Sequence, residues 1–132
     1  MPGSFLDSNV LIYLATLDDE KIEASNELLR HECVVSTQVL NEIANVLRRN
    51  RKAPWSAIHE FLALLEGLMP IVPVDLDCHK RGMDIAERYG FAIYDSMIVA
   101  AALQAGCDVL YTEDLQHGQI IDGSLKIVNP YV

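Results

Sequence analysis

Four carboxylates set far apart along the chain are the residues whose types and settings could do chemistry: Asp7, Glu42, Asp95 and Asp114. Asp7 is the only charged side chain in the first 17 residues, and it breaks the run Ser4-Phe5-Leu6-Asp7-Ser8-Asn9-Val10-Leu11-Ile12-Tyr13 between a short apolar strand and an apolar segment of helical length. A carboxylate carried on apolar elements is partly buried, and a buried charge is strongly unfavourable without a cation, a metal or several hydrogen-bond donors beside it. Asp95 is likewise the only charged residue between Tyr89 and Cys107. Gathered at one place, four carboxylates repel one another and need protons or cations. Oxygen-only ligands suit Mg²⁺ or Mn²⁺ rather than zinc. Such ions, bridging a water and a phosphate, support in-line phosphodiester hydrolysis.

Each acid also has a plain structural reading. Asp95 could be only a helix N-cap. Asp114 alone reads as a turn residue, and Glu42 alone as a solvated helix residue. Asp7 is the hardest to dismiss, and the ordered set of four matters more than any one member.

The elements that must position them follow from the chain in order. Residues 4–6 read as a strand and Asn9 to Ala15 as a helix. Asp18-Asp19-Glu20 is an acidic helix start that matches the helix dipole, with that helix running to Arg30. Cys33 to Ser36 is a second strand. Thr37 to Asn50 is an amphipathic helix with Val39, Leu40, Ile43, Val46 and Leu47 on its apolar stripe and Gln38, Glu42, Asn45 and Arg49 on its polar face. Pro54 stops that helix and opens the next, Trp55 to Leu65. Ile71 to Val74 is a third strand, at an edge because of Pro73. Leu76 to Tyr89 is a helix ended by Gly90, and Ser96 to Ala105 is an apolar, alanine-rich helix opened by Asp95. Asp108 to Thr112 and Lys126 to Val128 are a fourth and a fifth strand. Strands alternating with helices predict an α/β fold in three layers, a central parallel sheet of about five strands flanked by helices. In such sheets sites gather outside the carboxyl ends of the strands. Asp7 and Asp114 each follow a strand, Asp95 opens a helix near the same edge, and Glu42 lies on a helix reached from the second strand.

Composition sets the bounds. A chain of 132 residues fits one domain spanning 1–132, large enough to bury about two thirds of its unfolded surface. Hydrophobic content of 51 % argues against disorder. Cys33, Cys78 and Cys107 have no C-x-x-C spacing, which is poor material for a disulfide framework or a zinc site and fits a reducing cytoplasm. No secretory signal pattern is evident at the start, and the longest unbroken apolar run falls far below the ~20 residues of a membrane span. The net charge of −9 taken alone disfavours nucleic acid. Against that, metal ions could neutralise a cluster of acids, and Arg48, Arg49, Arg51 and Lys52 place four of the ten basic residues within five positions. That basic cluster is a candidate RNA-phosphate contact or a solvated helix end. Arg49, on the polar face with Glu42, is the member expected to reach the cleft. His117 could touch substrate, or be a surface histidine. Trp55, Phe61, Leu62 and Leu65 form a stripe read as core, with a dimer or partner-protein surface as the alternative.

At this point the sequence resembles a known family, the PIN-domain nucleases, and specifically the VapC-type toxins of bacterial and archaeal toxin–antitoxin modules. Asp7-Ser8-Asn9 resembles the family's opening acid with its small polar followers. Glu42 in Gln38-Val39-Leu40-Asn41-Glu42-Ile43 resembles the helix-borne glutamate, and Asp95 in Tyr94-Asp95-Ser96-Met97-Ile98-Val99-Ala100-Ala101-Ala102 resembles the third acid. Asp114 in Thr112-Glu113-Asp114-Leu115 resembles the fourth, with Glu113 a further candidate ligand, and the segment through Gln116-His117-Gly118 is similar to one common in a branch of these toxins. The resemblance implies a Mg²⁺-dependent endoribonuclease, with Mn²⁺ able to substitute, inhibited by an antitoxin whose tail enters the active-site groove, and a homodimer. Asp7, Glu42, Asp95 and Asp114 would hold the metal directly or through water. Asn9 and Thr112 would orient carboxylates or water. Ser8 would do likewise or cap a helix.

Other readings of the residues remain. A haloacid-dehalogenase-like phosphatase would want an acid at position 9, where Asn9 stands. A receiver-type domain would want its phosphorylated aspartate on a middle strand and a lysine after a late one. A dinucleotide-binding domain would need a glycine-rich turn after the first strand. A non-catalytic scaffold that keeps the fold for protein binding is the alternative from another class.

Overall fold

The computed structural model describes residues 3–16 and 19–132. Twelve elements follow in order: β1 (Ser4–Leu6), α1 (Ser8–Thr16), α2 (Asp19–Leu28), β2 (Cys33–Ser36), α3 (Thr37–Arg49), α4 (Trp55–Leu68), β3 (Ile71–Val72), α5 (Leu76–Tyr89), α6 (Ile93–Gln104), β4 (Val109–Tyr111), β5 (Ile120–Ile121) and β6 (Leu125–Val128). The strands form one sheet in the order β3-β2-β1-β4-β6-β5. Every pairing is parallel except that of β5 with β6. The α/β architecture with helices against a mostly parallel sheet is the one expected.

The sheet differs from the expectation of about five parallel strands by its sixth, antiparallel strand. The two residues of β5 turn back onto β6 through Asp122 and Gly123, both at positive φ. A strand that short has no alternation to read. Asp122 is held there by a bidentate pair with Arg88 at the end of α5, 2.8 and 3.2 Å, and by Tyr89. The acidic start expected at Asp18 lies outside the described residues. The helix of α4 runs three residues past its expected end, to Leu68.

β1 is central, with β2 on one side and β4 on the other. The chain fills one half of the sheet outward from β1 and then crosses to begin the other half with β4. Strand order therefore reverses between β1 and β4, the place where open α/β sheets build their sites. Register fixes what meets there. Leu6 lies opposite Tyr111, so Asp7 and Thr112 are the next residues on their strands. Backbone bonds continue the ladder beyond the strand ends, from Asp7 N–H to the Tyr111 carbonyl (3.0 Å) and from Thr112 N–H to that of Val128 (3.0 Å).

The core explains why the helices sit where they do. Phe5 and Leu6 on β1 are fully buried with Val35, Leu110 and Ile127 of neighbouring strands. Seven consecutive residues of α6, Ser96 to Ala102, are buried, so this middle stretch is covered all round, as its apolar run from Met97 requires, while Ile93 and Tyr94 in the first turn are exposed. α3 buries Val39, Ile43 and Leu47 and is capped by Ser36, whose hydroxyl accepts from Val39 N–H. In α4, Leu65 is buried and Phe61 and Leu62 pack against the core, but Trp55 is 55 % exposed. The stripe thus divides: its later members are core, and Trp55 is instead covered on one face by the Arg48 guanidinium, 4.7 Å from the ring centroid. Cys33, Cys78 and Cys107 are free and buried, and burial pushes the Cys33 thiol up to about 11.

α5 and α6 pack closely at Gly82, where a Cβ would lie 2.6 Å from Met97 Sδ and 3.4 Å from Met97 Cα. Gly82→Leu is expected to lower stability by about 1–3 kcal/mol through overpacking, read as a lower urea midpoint. An unchanged midpoint would mean that this crossing has room to spare.

Candidate active site

Asp7 leaves the end of β1 with 3 % of its surface exposed. Its Oδ1 accepts from the Ser8 backbone N–H at 2.6 Å and from the Ser8 hydroxyl at 3.4 Å. Its Oδ2 accepts from the Thr112 hydroxyl at 2.8 Å and from Asn9 Nδ2 at 3.5 Å. The parallel register of β1 and β4 delivers Thr112, and the first turn of α1 delivers Ser8 and Asn9.

Those same donors reach the other acids. Ser8 Oγ donates to Glu42 Oε1 at 2.8 Å, while Gln38 one turn earlier on α3 donates to Glu42 Oε2 at 3.2 Å. Ser8 therefore ties α1 to α3 rather than acting as a helix cap. Asn9 Nδ2 donates to Asp114 Oδ2 at 2.9 Å and lies 3.3 Å from Thr112 Oγ1, and Asn9 Oδ1 accepts from Glu113 N–H at 3.4 Å. The turn itself is closed by Asp114 N–H to Thr112 Oγ1, 3.1 Å. Asp114 is thus both a turn residue and a member of the cluster.

Asp95 corrects an expectation. The last long helix begins at Ile93, with Ala92 as its N-cap and no side-chain cap bond. Gly90, in the left-handed region at φ 73°, ends α5, and the short link to Ala92 sets the start of α6 without help from Asp95. Asp95 therefore lies inside the first turn, half buried, with its carboxylate free of capping duty.

The acids influence one another electrostatically. Asp7 is pushed up to about 7, chiefly by burial; the hydrogen bonds from Thr112 and Ser8 oppose this, and the charges of Glu42 and Asp114 add to it. Asp95 is raised by burial first, then by Asp114 and Glu42. Among the described residues no lysine or arginine pairs with Asp7, Glu42, Asp95 or Asp114. Asp7, Glu42 and Asp114 are instead held by the hydroxyls and amides of Ser8, Asn9, Gln38 and Thr112. Among the described residues no group of three acids, histidines or cysteines is drawn together tightly enough to enclose an ion. The donor chemistry nonetheless fits a hard divalent cation, because the groups are carboxylate oxygens with no resident positive charge.

Glu113 is turned away from this cluster. Its carboxylate accepts from Lys21 on α2 at 3.1 Å and from the Tyr13 hydroxyl, and Lys21 also donates to Tyr13 at 2.9 Å. The Lys21 ammonium lies over the rings of Tyr13 and Tyr131, 4.4 and 5.1 Å from their centroids. Of the neighbouring acids 113 and 114, Asp114 faces Asn9 and Glu113 faces a cation.

The basic cluster divides as well. Arg48 donates to the Ala53 carbonyl at 3.1 Å and stacks on Trp55, which closes the α3–α4 turn. Arg49, Arg51 and Lys52 are exposed. A groove of about 330 Å³ runs beside Glu42, lined by Gln38, Asn41, Glu42, Asn45 and Tyr94; Arg49 lies one turn beyond it. His117 is a loop anchor, with Nδ1 accepting from Asn129 N–H at 2.9 Å. Neither the Lys21–Tyr13–Glu113 contact nor Tyr94 facing α3 has a signal in the sequence. The polar stripe on α3 was the one available signal for Gln38.

Comparison with known proteins agrees with this fold. A model of the PIN domain family matches residues 4–121, and the chain belongs to that family. No curated protein matches the chain at a significant level of sequence similarity. Solved structures share the fold. VapC20 of Mycobacterium tuberculosis, described as a Sarcin-Ricin loop cleaving toxin, is 18 % identical with a TM-score of 0.70, covering 84 % of this chain and 91 % of its own. A toxin–antitoxin complex from Klebsiella pneumoniae gives 18 % identity and a TM-score of 0.72, covering 97 % and 98 %. The DNA-bound VapBC of Salmonella typhimurium gives 21 % and 0.64, covering 96 % and 97 %. Among the described residues no helix is long and apolar enough to cross a membrane.

The raised Asp7 pKa has a definite consequence for stability. The native state holds its proton more tightly than the unfolded chain, so this group favours the fold below about pH 4 and loses that contribution as pH rises through about 7. In EDTA, Asp7→Asn is expected to gain melting temperature relative to the parent as pH goes from 5 to 8. A difference between the two proteins that stays constant across that range would contradict a shifted Asp7.

Proposed function

We propose that this chain is a divalent-metal-dependent endoribonuclease that serves as the toxin of a toxin–antitoxin pair. The observation that supports it most is the delivery of four carboxylates by four separate parts of the chain toward one sheet edge, with Asp7 buried and, among the described residues, no lysine or arginine paired with them. Catalysis is the economical reason to keep such a cluster, since as a purely structural feature it destabilises the fold.

Asp7, Glu42, Asp95 and Asp114 would hold Mg²⁺, or Mn²⁺ in its stead. When bound, such an ion screens the phosphate, lowers the pKa of a water and stabilises the leaving oxygen. The protein's part is positional. Thr112 and Ser8 fix the Asp7 carboxylate, Ser8 and Gln38 fix Glu42, and Asn9 sets Asp114 relative to Asp7. These contacts restrict the carboxylates that would otherwise swing apart under their own repulsion. Arg49, Arg51 and Lys52 supply exposed positive charge at the end of α3 for RNA phosphates, in a chain that is otherwise acidic.

An antitoxin partner is supported by the company the fold keeps, since the Klebsiella pneumoniae and Salmonella typhimurium structures are toxin–antitoxin assemblies. Trp55, Leu64 and Leu68 leave apolar surface on α4 that a second copy in a homodimer could cover. The reading places the protein in the cytoplasm, where RNA and antitoxin are both present.

Purified protein, free of antitoxin, is expected to cleave a structured RNA pool in Mg²⁺ or Mn²⁺ and not in EDTA. Asp95→Asn should lower the rate by at least about a hundredfold while leaving the melting curve cooperative. Wild-type rates from that variant would remove Asp95 from the site, and cleavage in EDTA would remove the metal.

A further inference from the structure

The groove beside Glu42 has a composition that the metal site does not explain. Gln38, Asn41, Glu42 and Asn45 are spaced along one face of α3, and Tyr94, the residue before Asp95, faces them from the first turn of α6. Three of these five are amides and one is an aromatic 67 % exposed. Among the described residues neither Asn41 nor Asn45 has a side-chain hydrogen-bond partner within the chain. No lysine or arginine lines the groove, and Glu42 makes its end acidic. A phosphate would find amide donors here but no cation, and the Glu42 carboxylate would repel it.

The flat face of a nucleobase would. An amide presents a donor and an acceptor side by side, the pairing found on base edges, and an exposed tyrosine offers a ring to stack on. At about 330 Å³ the groove is at the small end of ligand sites and has no room for a double helix. It shares Glu42 with the acid cluster, and Tyr94 in its wall is the residue before Asp95.

We infer that the Gln38–Asn41–Asn45–Tyr94 groove is a nucleobase subsite that takes one unstacked base of a single-stranded RNA adjacent to the scissile phosphate. This deepens the nuclease reading and rests on it for the word scissile, but base binding can be measured without cleavage. Tyr94 supplies affinity by stacking. Asn41 and Asn45 supply preference among bases. The sign of the surrounding charge keeps phosphates on the Arg49 side. Strand selection follows, since a base inside a duplex has no free face to offer.

The test uses the full chain carrying Asp95→Asn, so that RNA survives, with labelled 12-nucleotide single strands of A, of C, of U and of mixed sequence, and a 12-base-pair duplex, in Mg²⁺. Single strands should bind more tightly than the duplex. Adding Tyr94→Ala should weaken single-strand binding by about tenfold or more, and Tyr94→Phe should stay within about twofold. Asn45→Ala should change the order of preference among A, C and U more than the mean affinity. Equal binding by Tyr94→Ala, or equal binding of duplex and single strand, would overturn the subsite and leave the Tyr94 face to a protein partner. Cleavage by the otherwise wild-type protein, with and without Tyr94→Ala, separates the two readings. Metal-dependent cleavage indifferent to Tyr94 sinks the subsite and keeps the nuclease. Tyr94-dependent binding without cleavage in any metal keeps a base-binding groove and sinks the nuclease.

Discussion

Everything at this site depends on how one buried carboxylate is held. Asp7 sits where β1 ends and the sheet changes direction, and it is screened from water by the same apolar residues that make the core. Burial raises its pKa, and two hydrogen bonds, from Ser8 N–H and the Thr112 hydroxyl, are what oppose that rise. Both donors come from fixed structure, one from the start of α1 and one from the end of β4. The β1–β4 ladder is therefore also the frame of the active site. A slip of one residue between those strands would bury the wrong side chain and separate Asp7 from Thr112.

From this centre Glu42 and Asp114 are reached by short side chains that each serve more than one partner. Ser8 joins Asp7 to Glu42, and Asn9 joins Asp7 and Thr112 to Asp114. Such two-way donors are short and have few rotamers, so the carboxylates are spaced by the backbone rather than by flexible chains. Glu113 completes the picture from outside. Its pair with Lys21 and Tyr13 turns one acid of the β4 turn toward α2, which fixes the backbone that presents the other. The apparent excess of acids near position 113 resolves into one structural and one cluster carboxylate.

What the sequence made legible was whatever has a local cause. Asp7 stood out because its neighbours are apolar. The α3 stripe had helical period, and Gly90 and Pro54 punctuate helices by their backbone geometry alone. The strand order was not readable, yet the alternation of elements was sufficient to place two acids at strand ends. What remained hidden depends on contacts between distant segments. Lys21 and Glu113 are 92 positions apart, and nothing near either one announces the other. Tyr94 reads as one more apolar residue before a buried helix until the packing of α6 beside α3 leaves it in the open. α6 starts three residues before the expected Ser96, because Asp95 is a favourable cap by type while Ala92 fills that position with no side-chain cap bond. β5 was missed because two isoleucines carry no period.

The two rims of the sheet have a consequence of their own. β3 offers only Ile71 and Val72 between Pro70 and Pro73, and β5 offers only Ile120 and Ile121 before the chain is drawn back by Asp122 and Arg88. Neither rim presents a row of free backbone groups long enough to recruit another strand. Recruitment of any second chain is thereby left to side chains on helices, which can discriminate between partners, instead of to main-chain ladders, which cannot. A protein built this way can carry exposed apolar residues such as Trp55 and Leu64 without the sheet itself becoming a template for aggregation.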